Sequence, residues 1–377
     1  LGLLSGVFGV LYAIVQHDLK RLLAFHSVEN IGIILIGIGA ASLCQATGRP
    51  DAARLLLVGG LFHVLNHAMF KALLFMGAGA VLQGAHTRNI EKLGGLMRGM
   101  PLTGVAFLAG SLAISAVPPF NGFASEFAIY RGLWAAAGSA GSGGVFLAAM
   151  AGLALIGGLA IVCFVKVVGT VFLGNARSAQ ASAARDPSVA MEFPMGTLAL
   201  FCLGLGVFPS LVLDRLMEIT SFLSSSVPSG AAVPAAGGKP ITVAIALAIA
   251  IGGLSLLRTF LLRRNGQRAG ETWGCGFPYT TPRMQYTASS FADPILHVFQ
   301  GILRPHTIRT ERLSGRFLLE VEHETHFHDL LENGLYLPIY RLFVQAAFQA
   351  RRLHPGYIHL YLGYILGAVV LLLVFFH

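Results

Sequence analysis

The chain has 377 residues, of which 55% are hydrophobic and only 11% are charged, and its mean hydropathy is +0.71. Soluble domains carry about 25% charged residues, so this composition excludes a soluble globular protein. The 26 Lys and Arg against 17 Asp and Glu give a formal charge of +9. We interpret that excess as loop topology in a membrane, not as nucleic-acid binding. The four cysteines are far apart, which excludes a CxxC zinc site, clustered iron–sulfur ligands and a disulfide framework.

Eight apolar stretches approach or exceed the length of about 20 residues that a membrane-spanning helix needs. They cover residues 1–16, 22–44, 55–83, 101–133, 144–173, 195–213, 240–262 and 357–376. None alternates with period two, which argues against an outer-membrane barrel. The sequence therefore predicts an all-α fold, a polytopic transmembrane helix bundle of about eight spans. The first apolar run begins at Leu1 without an initiator methionine or a basic flank, so we expect the front half of a longer protein to be missing.

Basic residues are slightly more numerous in the short loops on one side of the predicted bundle. That side holds Lys20, Arg21, Arg88, Lys92, Arg98, Arg177 and Arg185. The opposite side holds Arg49, Arg54, Arg131, Arg215 and Lys239. The positive-inside rule assigns the first side to the cytoplasm and places the C-terminus outside, as expected of a multi-pass protein of the cell inner membrane.

The segment 263–355 is charged and differs from the apolar remainder, so we expect a cytoplasmic or interfacial connection there. Residues 323–353 carry an apolar stripe that is interrupted at Pro338. That stripe predicts an amphipathic helix lying in the membrane interface, although a soluble helix packed on the end of the bundle would show the same pattern.

Two other features of this segment, a histidine run and a turn-rich stretch, are not predicted to form functional sites. The run HETHFH places His323, His326 and His328 close together, but spacings of three and two fit one helical face poorly, so we expect no metal site. The stretch 272–294 is rich in turn residues and is predicted to be an ordered loop, with Cys275 packed rather than reactive.

The third predicted span contains a lysine near its middle. Lys71 lies 16 residues after Leu55, too far from either helix end for its side chain to reach water. We therefore expect Lys71 to face the bundle interior and to exchange protons there. His63 and His67 precede it at i−8 and i−4 on the same helix face, which predicts a relay with Lys71. The structural alternative is a paired lysine with two histidines bonded to backbone carbonyls.

The fourth predicted span is interrupted. Pro118 and Pro119 remove backbone donors, and Asn121 with Gly122 favours a turn, so the helix should break near residues 118–123. Irregular backbone at membrane depth is tolerated only inside the protein or beside a water-filled cavity. Glu126 follows the break at once, which favours a functional role over a packing kink.

Other ionisable residues have more ambiguous positions. Glu29, with His26 at i−3, lies inside the second span and either extends a proton path or forms an ion pair with Lys20 or another helix. Lys20 marks the mouth of that helix and is a further candidate for the relay. Lys166 lies seven residues from Leu173, so partial snorkelling and a structural role compete with a relay role.

Three long motifs together resemble a known family. DLKRLLAFHSVENIGII, LFHVLNHAMFKALLF and PPFNGFASEF are similar to segments of the antiporter-like proton-conducting subunits of respiratory complex I, Mrp-type antiporters and membrane-bound hydrogenases. The Glu29-Asn30 pair and the 272–294 block look most like the hydrogenase members. The similarity extends over essentially the whole chain.

The resemblance implies a division of the chain. Residues 1–173 would form the second of two inverted five-helix repeats, and 174–262 two further spans with loops. Residues 263–355 would include a lateral helix, and 356–377 the final span. Lys71 would occupy the family's central lysine or histidine position in the second repeat, and Glu126 the terminal acidic or lysine position beside the broken helix.

The function implied by the resemblance is proton translocation within a hydrogenase or complex I-like assembly. Partners would be other membrane subunits and a soluble redox arm. The chain offers no ligands for a redox centre, so we expect no cofactor and no redox catalysis in it. Two alternatives remain: a stand-alone sodium/proton antiporter, and a non-pumping scaffold that anchors a soluble arm through 263–355.

Overall fold

The computed structural model describes residues 1–138, 143–223, 234–265, 279, 281, 284–303, 305–314, 317–327, 332–351 and 356–375. The described residues divide into two units, Leu1–Phe299 and Gln300–His377, and each unit is considered by itself.

Helices form almost all of the first unit. They are α1 (Gly2–Ile14), α2 (Leu19–Ala46), α3 (Pro50–Ala85), α4 (Pro101–Ile114), α5 (Asn121–Ala137), α6 (Gly143–Val167), α7 (Ala179–Ala183), α8 (Val189–Val207), α9 (Ser210–Ile219) and α10 (Pro234–Asn265). Helix α11 (Ala288–Leu303) belongs to this unit as far as Phe299, where its backbone is not helical. Residues Val168–Phe172 extend α6 as a π-helical turn. Short 3₁₀ turns cover Ile90–Lys92, Leu96–Arg98 and Thr220–Leu223.

Six helices in the described residues are long and apolar enough to cross a membrane, by length and composition. They are Leu19–Ala46, Pro50–Ala85, Gly143–Phe172, Val189–Val207, Ile245–Arg263 and Ile358–Phe375. The two other predicted spans correspond to the shorter α1 at the start of the chain and to the pair α4–α5. The predicted polytopic helical membrane bundle is therefore confirmed.

The predicted break in the fourth span is present. α4 ends at Ile114, and α5 begins at Asn121. Gly122 is needed here because a Cβ atom on it would lie 1.9 Å from the carbonyl oxygen of Ala113. Helix α8 packs closely against the break as well, since a Cβ atom on Gly206 would lie 2.0 Å from the carbonyl oxygen of Pro119. The break is thus packed against α4 and α8, with residues 116–120 half-buried, in keeping with irregular backbone that is covered by protein in a membrane.

Helices α1 and α2 pack through glycines, as small residues allow close helix contact in membranes. A Cβ atom on Gly32 would lie 2.4 Å from the Gly6 amide nitrogen, and one on Gly9 would lie 2.5 Å from the Glu29 amide nitrogen. The backbone at Glu29 is therefore held directly against α1.

Loops from three places meet at one end of the first unit. The Arg177 guanidinium donates hydrogen bonds to the carbonyl oxygens of Ile90, Glu91 and Thr170, each within 3.0 Å. Asp18, the N-cap of α2, pairs with Arg88. Loops predicted to share one membrane side therefore do lie together.

The structure of the second unit differs from the prediction at the start of the amphipathic helix. Residues Pro305–Ser314 (β1) and Phe317–Phe327 (β2) form an antiparallel two-stranded sheet, with His306 opposite His326. The prediction of a helix from residue 323 is wrong for 323–327, because these residues belong to β2 and pair with residues 305–309 of β1. His328 lies outside the described residues, as do residues 272–278 with Cys275.

The predicted amphipathic helix begins later than expected. A π-helical turn covers Glu332–Tyr336, followed by α12 (Leu337–Arg351) and then α13 (Ile358–Phe375). Pro338 occupies the first turn of α12, where its missing amide hydrogen costs no intrahelical bond, so it starts the α-helix rather than interrupting it.

Candidate functional site

Lys71 points from α3 into the bundle. Its side chain is buried, with 6% of its surface exposed, and its ammonium donates a hydrogen bond to the Leu23 carbonyl oxygen of α2. The ammonium also lies 5.0 Å from the centre of the Phe75 ring. Glu29 is near enough to interact with it electrostatically. A cation in these surroundings is stabilised by one carbonyl, one aromatic face and one carboxylate.

Glu29 and His26 form a buried pair on α2. Both side chains are at most 1% exposed, and His26 Nδ1 bonds to Glu29 Oε2. His26 Nε2 has no hydrogen-bond partner among the described residues. The His26 ring lies against the ring of Phe164, with centroids 4.6 Å apart. Cys163 of α6 also interacts with this imidazole, so His26 contacts α6 through both Phe164 and Cys163.

Glu126 lies in the second turn of α5, just after the break, and is 5% exposed. It faces α6 at Gly157, where the missing side chain leaves space beside the carboxylate. Its charge interacts with those of Glu29 and, one turn further along, Tyr130. Glu126, on the helix that follows the break, therefore interacts electrostatically with Glu29 of α2.

His63 lies at the centre of a neutral hydrogen-bond network. Its Nε2 is 3.1 Å from Asn30 Oδ1 on α2, and its Nδ1 is 2.9 Å from Ser125 Oγ on α5. His63, Asn30 and Ser125 are all fully buried. This histidine therefore links α3 to α2 and α5, which its sequence position alone did not reveal.

The break itself is fastened to α3 by a reciprocal amide pair. Asn66 Nδ2 donates to the Asn121 carbonyl oxygen at 2.8 Å, and Asn121 Nδ2 donates to Asn66 Oδ1 at 3.1 Å. Asn121 Oδ1 has no hydrogen-bond partner among the described residues. Sequence reasoning missed Asn66, although its place three residues after His63 puts the two side chains on one helix face.

His67 is less buried than its neighbours on the same face. Its ring meets the edge of the Phe70 ring, with centroids 5.7 Å apart, and its Nε2 has no hydrogen-bond partner among the described residues. Its charge would interact with that of Lys71. His67 therefore lies beside Lys71 in the predicted order along α3.

Lys166 and Lys20 lie apart from these contacts. The Lys166 ammonium is buried and donates to the carbonyl oxygens of Ile14 and Gln16, so it caps the C-terminal end of α1. Lys20 lies in the first turn of α2, beside the N-cap Asp18, and is half-buried. Lys166 therefore has a structural contact, and Lys20 lies at the helix mouth.

The site combines carboxylates, imidazoles and an ammonium in an apolar interior. Within the described ranges, no group of three or more His, Cys, Asp and Glu residues is arranged to hold a metal ion. Such side chains are the groups that carry protons through membrane proteins. The fold and the interior together define a multi-pass helical membrane protein with a buried chain of ionisable groups.

Comparison with known proteins names the family. Residues 1–157 match the family model described as NADH:quinone oxidoreductase/Mrp antiporter, TM. The resemblance seen in the three sequence motifs is confirmed.

Two curated relatives come from Escherichia coli (strain K12). Hydrogenase-4 component B is 34% identical over 391 residues, an alignment that covers 99% of this chain and 58% of that protein. Formate hydrogenlyase subunit 3 is 36% identical over 316 residues, which covers 81% of this chain and 49% of that protein. The chain thus spans about half the length of the curated relatives it matches.

One solved structure shares the fold over the whole chain. It is the membrane-bound sulfane sulfur reductase, an archaeal respiratory membrane complex, with a TM-score of 0.64 and 20% identity. The match covers 100% of this chain and 55% of that chain. At this identity the likeness concerns the fold alone.

Proposed function

We propose that this chain translocates protons as an antiporter-like membrane subunit of a hydrogenase-type or complex I-like assembly. The observation that carries the proposal is the convergence of Lys71, Glu29 and Glu126 from three helices in the interior of the first unit. Buried ionisable groups are expensive in a membrane protein and mark ion pathways. The family and the hydrogenase relatives support the same function.

Electrostatic coupling gives the relay its mechanism. A charged Glu29 stabilises the protonated ammonium of Lys71, and the attraction is strong because little water screens it. Glu29 and Glu126 repel each other when both are charged, so a proton is favoured on one of them. A proton that moves from Lys71 towards Glu126 therefore changes the charge that the next group experiences.

The remaining elements of the proposal concern the assembly. Redox centres reside in partner subunits, among them a soluble redox arm, and other membrane subunits lie beside this chain. The loops that meet around Arg177 face the cytoplasm of the inner membrane, in keeping with their basic residues, and the C-terminus lies outside.

The proposal is tested by Lys71→Ala in the full-length protein within its membrane complex. Proton translocation in proteoliposomes should fall by about 100-fold or more, because the central proton carrier is lost, while the complex still assembles. Lys92→Ala is the matched control, since Lys92 is exposed in a loop turn. Unchanged translocation by Lys71→Ala would reject the relay. A requirement for sodium would favour sodium/proton antiport instead.

A further inference from the structure

Four polar groups surround the hydroxyl of Ser125. Asn66 Nδ2 donates to Ser125 Oγ at 3.0 Å, and His63 Nδ1 lies at 2.9 Å. Two backbone carbonyl oxygens of the first turn of α5 are also within reach, that of Asn121 at 3.2 Å and that of Gly122 at 3.1 Å. A hydroxyl carries a single proton, so it can donate to only one of these acceptors at a time.

The surrounding amides have fixed orientations. Asn30 Nδ2 donates to the His26 carbonyl oxygen at 2.8 Å, so Asn30 turns its oxygen towards His63. That oxygen can only accept, and His63 Nε2 must therefore carry a hydrogen. The amide nitrogen of Asn66 is likewise fixed, because it faces the Asn121 carbonyl oxygen. Only two features of the network can therefore change: the direction in which the Ser125 hydroxyl points its hydrogen, and whether His63 Nδ1 carries a hydrogen.

Two complete hydrogen-bond arrangements follow. When His63 is neutral, the Ser125 hydroxyl donates to Nδ1. When His63 is protonated, Nδ1–H donates to Ser125 Oγ, and the hydroxyl turns to the carbonyl oxygen of Asn121 or Gly122. Ser125 Oγ also accepts from Asn66 in both arrangements, which its two lone pairs allow. Neither state leaves a buried polar atom of His63 unpaired.

We propose that Ser125 is a positioning residue that lets His63 change its protonation state inside the relay and ties that change to the broken helix. On protonation, His63 Nδ1 gains one proton from a hydronium ion of the proton path, which is left as neutral water, while the Ser125 hydroxyl turns away and keeps its own proton. The carbonyls that receive the turned hydroxyl belong to the first turn after the break. This inference rests on the proposed function, because it assigns His63 a part in proton transfer.

Ser125→Ala in the full complex tests the inference. Without the hydroxyl, the protonated Nδ1–H has no acceptor in the buried network, so proton translocation should fall about tenfold. Ser111→Ala is the matched control, because Ser111 is buried in α4 of the same broken span and donates only to the Phe107 carbonyl oxygen. Ser125→Thr restores a hydroxyl and should recover about half of the wild-type rate or more.

The outcomes separate this inference from the proposed function. Equal rates for Ser125→Ala and Ser111→Ala, with Lys71→Ala inactive, would overturn the role of Ser125 and leave the relay in place. If Lys71→Ala translocates protons normally, the proposed function fails first. Should Ser125→Ala not assemble, Ser125→Cys decides, since a thiol donates and accepts weakly: a several-fold loss supports the inference, and a wild-type rate overturns it.

Discussion

Two buried lysines in this chain have different surroundings. Lys71 contacts one carbonyl oxygen and interacts with Glu29, so its charge is balanced by a group that can itself lose or gain a proton. Lys166 donates to two carbonyl oxygens at the end of α1, where an ammonium also complements the helix dipole. The same residue type thus lies beside an ionisable carboxylate in one place and at a helix terminus in the other, and we propose proton transfer only for the first.

Lys166→Met should therefore affect stability rather than transport. It leaves the Ile14 and Gln16 carbonyl oxygens without a charged donor, at a cost of about 1.5–3 kcal/mol. We expect a lower Tm for the purified complex, while the assembled fraction translocates protons at the wild-type rate. Loss of translocation with an unchanged Tm would show instead that Lys166 belongs to the relay.

Charged residues of the site could be predicted from the sequence, and neutral ones could not. Lys71, Glu29 and Glu126 stand out because a charge within an apolar run is expensive. Asn30 and Ser125 do not, because a neutral polar side chain costs less and occurs widely in membrane helices. Their roles depend on which helices lie opposite them, which a single sequence does not give.

At the scale of the helix, the break between α4 and α5 holds Glu126 and Asn121 in the interior. Prolines and the Asn-Gly pair predicted this break correctly, because each disfavours continuous helix. What the sequence did not show is how tightly the two halves meet: the Gly122 Cα faces the Ala113 carbonyl without space for a side chain.

Gly122→Ala tests the importance of that close contact. A methyl group would overlap the backbone oxygen of Ala113, which cannot move without separating α4 from α5, at a cost of about 1–3 kcal/mol. We expect a lower yield of assembled complex and a lower Tm. Gly158→Ala in α6 is the control, since nothing lies within 4 Å of that position. Identical yield and Tm for both variants would contradict the tight contact.

A carboxylate outside the membrane fastens α11 to the loop after α3. Glu91 Oε1 accepts hydrogen bonds from the amide and the hydroxyl of Ser289, each at 2.8 Å, and pairs with His17 at 3.3 Å. Burial alone would raise the pKa of Glu91, but these hydrogen bonds outweigh it and lower the pKa to about 2. The carboxylate is thus held charged at the N-terminus of α11, where the helix dipole favours an anion.

The lowered pKa predicts how pH affects this attachment. Because the pKa lies below the usual 4.5, the charged Glu91 stabilises the folded state above about pH 4.5, and this contribution is lost as the pH falls towards 2. At neutral pH, Glu91→Gln should speed amide hydrogen exchange in α11 about fivefold. The control is Glu218→Gln, which removes an exposed pair with Arg215. Equal exchange in α11 for both variants would contradict the account.

Secondary-structure elements that depend on one segment of the chain could be predicted from the sequence, and the hairpin, which depends on two, could not. Membrane-spanning helices were predicted because apolar length alone identifies them. The hairpin of β1 and β2 was missed because most of its residues are polar and neither strand shows a regular period-two pattern. The apolar stripe that begins near residue 330 led us to extend the predicted helix over 323–327, which belong to β2. Strand pairing depends on two segments at once, whereas hydropathy considers one.

At the scale of the whole molecule, every group of the proposed relay lies in the first unit, on helices α2, α3, α5 and α6. Glu29 has the central position, since it interacts with both Lys71 and Glu126. Its backbone is held against α1 at Gly9, and its carboxylate bonds to His26. The account therefore requires that protons pass between Lys71 and Glu126 by way of Glu29.

Proton translocation by Glu29→Gln in the assembled complex tests this requirement most directly. Glutamine keeps a hydrogen-bonding group beside His26 but cannot take up a proton, so the rate should fall by about 100-fold while Lys71 and Glu126 remain. Glu192→Gln in the first turn of α8 is the matched control and should translocate normally. A Glu29→Gln complex that translocates protons as fast as Glu192→Gln would contradict a relay through these three groups.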